Sequence, residues 1–312
     1  MPDKVFAFII ILIFPCVLFS QGKKDTTIKV EGKVITLSEI VINNKLNVPS
    51  FINRVKNDTT FYKAFRTLHI IGFTALNDIR MVDKVGATKA SLLRKIRQIR
   101  TNNSRRMEVL EQSTSGDMYD EKRNFNYYTG EMYAGLFFTR DSICGEDNIV
   151  KGHEFSTAGV SGMEKHKQQL KMLFFNPGRK IAGIPLMGNK TAIFDDNMSD
   201  SYDMSIDMDE YNKTSCYIFK IKVKDDKKSD VVIDEMTTWF NDKTFEIVAS
   251  DYALSYDAGV YDFNVQMHVE MSKFNNYLVP SLIRYNGNWK AIFKKRERGI
   301  FTATLFDFKK LN

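Results

Sequence analysis

The sequence predicts an α+β protein, mainly antiparallel β: a strongly curved sheet or partly closed barrel with helices covering its concave face. Three observations carry that class. From Tyr261 to Met271, apolar Tyr261, Phe263, Val265, Met267, Val269 and Met271 alternate with Asp262, Asn264, Gln266, His268 and Glu270. Strict period two gives a strand one apolar and one wet face. The same alternation recurs at Tyr202–Asp209 and Tyr217–Lys224. The pairs Asn241-Asp242, Asn275-Asn276 and Asn286-Gly287 then read as hairpin turns between such runs. A sheet wet on one side only must pack its other side, and consecutive long hairpins favour curvature or closure.

The elements follow in order. Met1 to Lys4 is short and charged, Val5 to Phe19 is apolar, and Ser20-Gln21-Gly22 is a small polar exit. These are the three parts of a secretory leader over residues 1–21. The apolar run falls short of the roughly 20 residues that span a bilayer, and Pro15 interrupts it. Export is therefore expected, to a periplasm or the periplasmic face of an outer membrane. Residues 22–47 read as a strand-like tether, with β-branched Val34-Ile35-Thr36-Leu37 and Ile40-Val41-Ile42. Residues 48–312 read as one domain with an irregular insertion at about 113–162.

Within that domain Ser50 is a candidate helix cap before Phe51, Ile52 and Val55, and Asp58 or Thr59 a second before Phe61, Ala64, Phe65 and Leu68. Leu68 to Arg80 turns strand-like, and Ala90 to Arg106 reads as one long basic strand. A helix is expected around Tyr127 to Phe138 and another over 162–175, stopped by Asn176-Pro177-Gly178. Ile181 to Met187 is a loop or edge segment, and Ile300 to Phe308 a last strand.

Composition bounds function. At 43% hydrophobic and 27% charged the chain is an ordinary globular one. Its net charge of +7 suits an anionic surface; nucleic acid is set aside because the chain reads as exported. Past the leader two cysteines remain, Cys144 and Cys216, which either pair in an oxidising compartment or stay as free thiols.

Four histidines supply little chemistry. His153-Glu154 lacks the second histidine of a zinc-protease helix, His166 reads as a core or boundary residue, and His268 sits on the wet face of its strand. No nucleophile elbow, phosphate loop or Cys-x-x-Cys is present, so no catalysis and no cofactor are expected. Asp195, Asp196 and Asp200 lack the glycine and terminal glutamate of a calcium loop, and no metal is assigned. Two surfaces remain. Arg94, Lys95, Arg97, Arg100, Arg105 and Arg106 are candidates for a basic patch toward anionic lipid head groups or an outer-membrane partner, with Lys294, Lys295, Arg296 and Arg298 a second cluster. Tyr261, Phe263, Val265, Met267 and Met271 are candidates to line a ligand space, or else fill a tight core.

The stretch from about Thr191 to Phe308 resembles the LolA/LolB-like superfamily of periplasmic lipoprotein carriers. The similarity lies in an alternating strand leading to Trp239-Phe240-Asn241-Asp242, then Thr244-Phe245-Glu246-Ile247-Val248, Tyr277-Leu278-Val279-Pro280, Tyr285-Asn286-Gly287 and Trp289. Upstream, a helix followed by Gly72-Phe73-Thr74 and Ile79-Arg80-Met81 fits the same order. Val34 to Ile42 is also similar to N-terminal segments of exported Bacteroidetes-type proteins. The resemblance implies an incomplete antiparallel barrel with a helical lid over an apolar cavity, binding an acyl chain or lipoprotein without chemistry. It implies no particular binding residue. The alternative is an envelope interaction protein whose sheet is solid.

Overall fold

A computed structural model describes residues 25–139, 141–150, 172–181, 187, 189–257, 259, 261–291 and 295–310. The expected leader, His153, His166, Lys294 and most of the expected 162–175 helix and 181–187 loop lie outside the described residues.

The described chain is mostly β. Its strands are β1 (Thr26–Val30), β2 (Lys33–Leu37), β3 (Gly72–Val82), β4 (Thr88–Thr101), β5 (Ser104–Gly116), β6 (Ile143–Cys144) and β7 (Tyr202–Tyr211). They continue with β8 (Thr214–Val223), β9 (Ile233–Asn241), β10 (Ile247–Asp257), β11 (Tyr261–Phe274), β12 (Tyr277–Ala291) and β13 (Glu297–Lys309). All thirteen form one sheet in the order β1-β2-β7-β8-β9-β10-β11-β12-β13-β3-β4-β5-β6. Only β2 and β7 pair in parallel, so the sheet is mixed. It is open, with β1 and β6 at its edges. The helices are α1 (Glu39–Asn43), α2 (Val48–Asn57), α3 (Thr60–Thr67), α4 (Tyr128–Phe137) and α5 (Asp196–Ser199).

Period two is kept from strand to strand. Phe219, Thr238, Ser250, Val269, Ile283, Ala303, Asn77 and Arg94 follow one another through the register and share one face. The helices pack on that face. Phe51 of α2 meets Phe240 edge-on at 5.4 Å and Phe219 at 6.1 Å. Phe61 of α3 meets Tyr252 at 6.3 Å, and Tyr133 of α4 lies 4.6 Å from Tyr285. Such aromatic pairs add to the stabilisation from area burial alone.

Several expectations change. The β-branched run ends as a strand at Leu37. Ser38 turns the chain into α1, which buries Val41 and leaves Ile40 and Ile42 exposed. The cap of α2 is Asn47, whose side chain accepts from Ser50 N at 3.1 Å, with Pro49 in the first turn. The expected single strand from Ala90 to Arg106 is a hairpin, because Asn102 takes φ 47° and reverses the chain before Ser104. Asn275 turns the β11–β12 hairpin in the same way, with φ 53°. Asn286-Gly287 makes no turn: β12 runs straight through it. A Cβ at Gly287 would lie 2.1 Å from the Tyr285 hydroxyl. The glycine makes room for that ring on the packed face, and the ring's hydroxyl accepts from Trp289 Nε1.

Candidate functional site

The packed face differs along the sheet. From β8 to β12 its inward residues include the large Phe219, Phe240, Tyr252, Phe263, Tyr285 and Trp289 beside the small Thr238 and Ser250, and the space under α2 and α3 there is small, about 50 Å³. Phe263 is 3% exposed and stacks on Trp289 at 4.6 Å; Val265 and Met267 are equally buried. Tyr252 donates its hydroxyl to Phe174 O across the interface.

Toward β13, β3 and β4 the inward residues include small or polar ones, Ala303, Ala75, Asn77 and Gln98. Here the ends of α3 and α4 stand off the sheet. They leave a cavity of about 420 Å³, floored by Phe73, Ala75, Ile96, Ala303 and Leu305 and roofed by Phe65, Leu68, Phe137, Phe138 and Phe175. That volume falls within the usual range of small-molecule sites. The roof is held by ring contacts, with Phe65 stacked on Phe175 at 4.3 Å and Phe137 stacked on Phe301 at 4.6 Å.

A polar cluster closes one side of the cavity. Gln98 donates to Leu68 O and Ile71 O at 2.5 and 2.7 Å, satisfying carbonyls where the chain leaves α3. Its own carbonyl accepts from Arg105 at 3.1 Å. Arg105, on β5, also donates to Thr139 Oγ1 at 2.7 Å and grips Glu146 with two nitrogens, at 2.5 and 3.1 Å. His69 Nδ1 stands 3.1 Å from the same carboxylate, and Arg66 binds Asp147 at 2.8 Å. Burial alone pushes the Glu146 carboxyl up. The Arg105 hydrogen bonds and the nearby His69 and Arg66 outweigh it and hold the group below the usual glutamate range. Glu146 is therefore a fixed carboxylate at neutral pH, already taken by its partners. The described lining residues include no serine or cysteine, and the Thr139 hydroxyl is engaged by Arg105.

The residues singled out in the sequence divide as follows. The side chain of Tyr261 lies outside the described residues. Phe263, Val265 and Met267 are in the filled part of the core, Met271 is half-buried further along β11, and none of the four lines the cavity. The six basic residues do not make one patch, because period two sends neighbours to opposite faces. Arg94, Arg100 and Arg105 point to the helix-covered face, and Lys95, Arg97 and Arg106 to the open one. Arg94 sits 4.7 Å over the Phe138 ring and donates to Gln112 at 2.7 Å. Lys95 pairs with Glu111 at 3.0 Å and Arg106 with Glu108 at 2.7 Å. Cys144 and Cys216 are free thiols, the first exposed on edge strand β6, the second buried on β8. Burial pushes the Cys216 thiol up. Among the described residues, no group of three or more His, Cys, Asp or Glu side chains could hold a metal ion.

His268 is not simply solvated. It is half-buried on the open face between Asp251 and Glu270 Oε1, the latter at 3.2 Å, with the Tyr211 hydroxyl at 3.3 Å. The Asp251 hydrogen bond raises its pKa above the ordinary histidine value, against burial and with help from Glu270. Burial and the same glutamate push the Tyr211 phenol up to about 12.

Sequence reasoning missed the cavity residues His69, Gln98 and Glu146. It also missed the signal that marks the cavity, small inward residues at Ala75, Asn77 and Ala303 beside larger Ile283, Leu305 and Ile96.

No protein-family model matches the chain, and no curated protein matches it. Among the solved structures similar to it are two of low identity. One is an outer membrane lipoprotein-sorting protein domain from Vibrio parahaemolyticus, at 6% identity and TM-score 0.26, covering 78% of this chain and 88% of that one. The other is a DUF1329 family protein from Desulfovibrio piger, at 10% identity and TM-score 0.24, covering 83% and 90%.

Proposed function

We propose that the protein is a non-catalytic lipid- or lipoprotein-binding module of the cell envelope, exported to the periplasm or the periplasmic face of an outer membrane. In this reading the open sheet is a half-barrel, its concave face is the helix-covered one, and an acyl chain enters the gap under the ends of α3 and α4. The observation that carries the reading is the cavity of about 420 Å³ with an apolar floor and an aromatic roof. Each methylene moved from water into such a space contributes about 0.8 kcal/mol. The charged groups beside it are paired with one another, Arg105 with Glu146 and Arg66 with Asp147, and frame the space. A second reading, an interaction protein with a solid sheet and no ligand, draws support from the close packing around Phe263 and Trp289.

Mass spectrometry of organic extracts from the purified protein separates the two. Co-purifying monoacyl or diacyl lipid, lost when Ala303→Leu fills the cavity, is the expected result. An extract without lipid from wild-type protein, together with no uptake of added fatty acid, contradicts the proposal and leaves the solid-sheet reading.

A further inference from the structure

The polar side of the cavity of about 420 Å³ carries more positive than negative charge. The charged residues that line it are Arg66, Arg105 and Glu146, with His69 among them. Glu146 is taken up by Arg105 and His69, so the Arg66 charge is the surplus. The carboxylate that meets Arg66, Asp147, lies outside the lining and is 56% exposed, where water and salt screen it. Strand register sets Arg100 directly opposite Arg105 on the same helix-covered face. Its Nε and one terminal nitrogen have no hydrogen-bond partner among the described residues. Three guanidinium groups thus stand against two carboxylates, and their summed field favours an anion at this end of the cavity.

The donors that could meet such an anion are on α3. Tyr62 and Arg66 lie four residues apart there, on one helix face, and both line the cavity. Arg105 is fully engaged, by Glu146, Gln98 and Thr139. Arg66 is not. One terminal nitrogen serves Asp147 O at 2.9 Å and Oδ1 at 2.8 Å, and its Nε has no acceptor among the described residues. Burial outweighs the neighbouring Arg66 and pushes the Tyr62 phenol up, so it stays protonated at neutral pH. A guanidinium donates and never accepts, so contact with Arg66 leaves the phenol's own proton to give.

We propose that the ligand of this cavity is a single chain ending in an oxyanion, a carboxylate or a phosphate monoester, held by Arg66 and Tyr62 while its apolar length lies on the floor of Phe73, Ala75 and Leu305. The proposal rests on the acyl-chain reading and adds a head group to it. A guanidinium presents its donors in a fork that matches either oxyanion. An ester or amide at the end of the chain would meet the donors and leave the charge unanswered. The volume lies toward the lower end of the range for small-molecule sites, which favours one chain over several.

The test is displacement of a neutral fluorescent probe, N-phenyl-1-naphthylamine, from the full chain at pH 7. The competitors are laurate, dodecyl phosphate and 1-dodecanol, each below its aggregation threshold. The expected result is that laurate, dodecyl phosphate or both compete at least about tenfold better than dodecanol. Laurate alone would identify the carboxylate as the head group, and dodecyl phosphate alone the phosphate. Arg66→Gln should bring the favoured acid down to the level of dodecanol, and Lys63→Gln, exposed on the same helix, should not. Tyr62→Phe removes only the hydroxyl, and should weaken the acid about threefold and leave dodecanol unchanged; it carries the test if Arg66→Gln fails to fold. Equal competition by acids and alcohol overturns the charged head group and leaves the acyl-chain reading standing. No displacement by any of the three overturns both. A preference for acid that survives in folded Arg66→Gln, or an equal loss with Lys63→Gln, overturns the assignment to Arg66.

Discussion

Two stretches of one sheet face, built with the same alternation, do different things. From β8 to β12 the inward positions carry Phe219, Phe240, Tyr252, Phe263, Tyr285 and Trp289, and the space left under the helices at Thr238 and Ser250 is about 50 Å³. At β13, β3 and β4 the inward positions mix Ala303, Ala75, Asn77 and Gln98 with Phe73, Ile96 and Leu305, and a cavity of about 420 Å³ opens. Apolar alternation makes a sheet face bury, but side-chain size decides whether what it buries is protein or empty space. The polar residues at the cavity end fit this division. Asn77 and Gln98 find backbone acceptors, Arg105 a carboxylate, and the gap stays framed instead of collapsing.

The widest test of this contrast compares two phenylalanines of nearly equal burial, Phe263 on β11 and Phe73 on β3. Phe263→Ala opens a new hole in a filled core and is expected to cost about 3–5 kcal/mol in denaturant unfolding. Phe73→Ala enlarges an existing space and is expected to cost about 1 kcal/mol less, since part of that ring already lacks packing partners. Equal losses would erase the distinction between the two regions.

Next comes the charged side of the cavity. Arg105→Gln leaves Glu146 half-buried with fewer partners and is expected to cost about 2 kcal/mol at pH 7, the scale of hydrogen bonds to a charged group. Because the folded Glu146 pKa lies below its unfolded value, its contribution is present above the ordinary glutamate range and is lost as pH falls through the lowered folded value. Glu146→Gln should therefore flatten the acid limb of the stability profile. An unchanged acid limb would show that the cluster holds nothing in place.

On the open face, His268 has the opposite sign. Its raised pKa means that its contribution is complete below the unfolded histidine value and is lost as pH rises through the folded one. Asp251 is about half exposed, which screens the pair, so Asp251→Asn is expected to remove less than about 1 kcal/mol, and only on the acid side of that transition. Smallest of all, Gln266→Ala on the same face should change unfolding by no more than about 0.5 kcal/mol. A larger loss would show that the open face is covered by something in solution.

Much of the sheet was legible because period two is a local signal: β7, β8 and β11 stand where alternation placed them. Turns were legible only in part. Asn275-Asn276 and Asn102-Asn103 carry the same chemistry, yet the second sat inside a run of basic residues that masked the reversal. Asn286-Gly287 has the right turn residues for the wrong reason, since Gly287 serves the Tyr285 ring instead of a turn. In α1, β-branched residues form a helix because only Val41 needs burial, a tertiary demand that propensity does not contain. The cavity was illegible for a related reason. Ala75, Asn77 and Ala303 mark it only once β13 is known to lie beside β3, and no local pattern reports a pairing between segments so far apart in the chain.

The central claim is that small inward residues at the β13–β3 junction leave room for an acyl chain. Titration of a fluorescent fatty acid into wild type, Phe263→Ala and Ala303→Leu tests it most directly. The account predicts saturable binding by wild type, binding within about threefold of it by Phe263→Ala while that variant stays folded, and loss of at least about tenfold for Ala303→Leu. Binding that survives in Ala303→Leu would place the ligand elsewhere, and no binding by wild type would contradict the account outright.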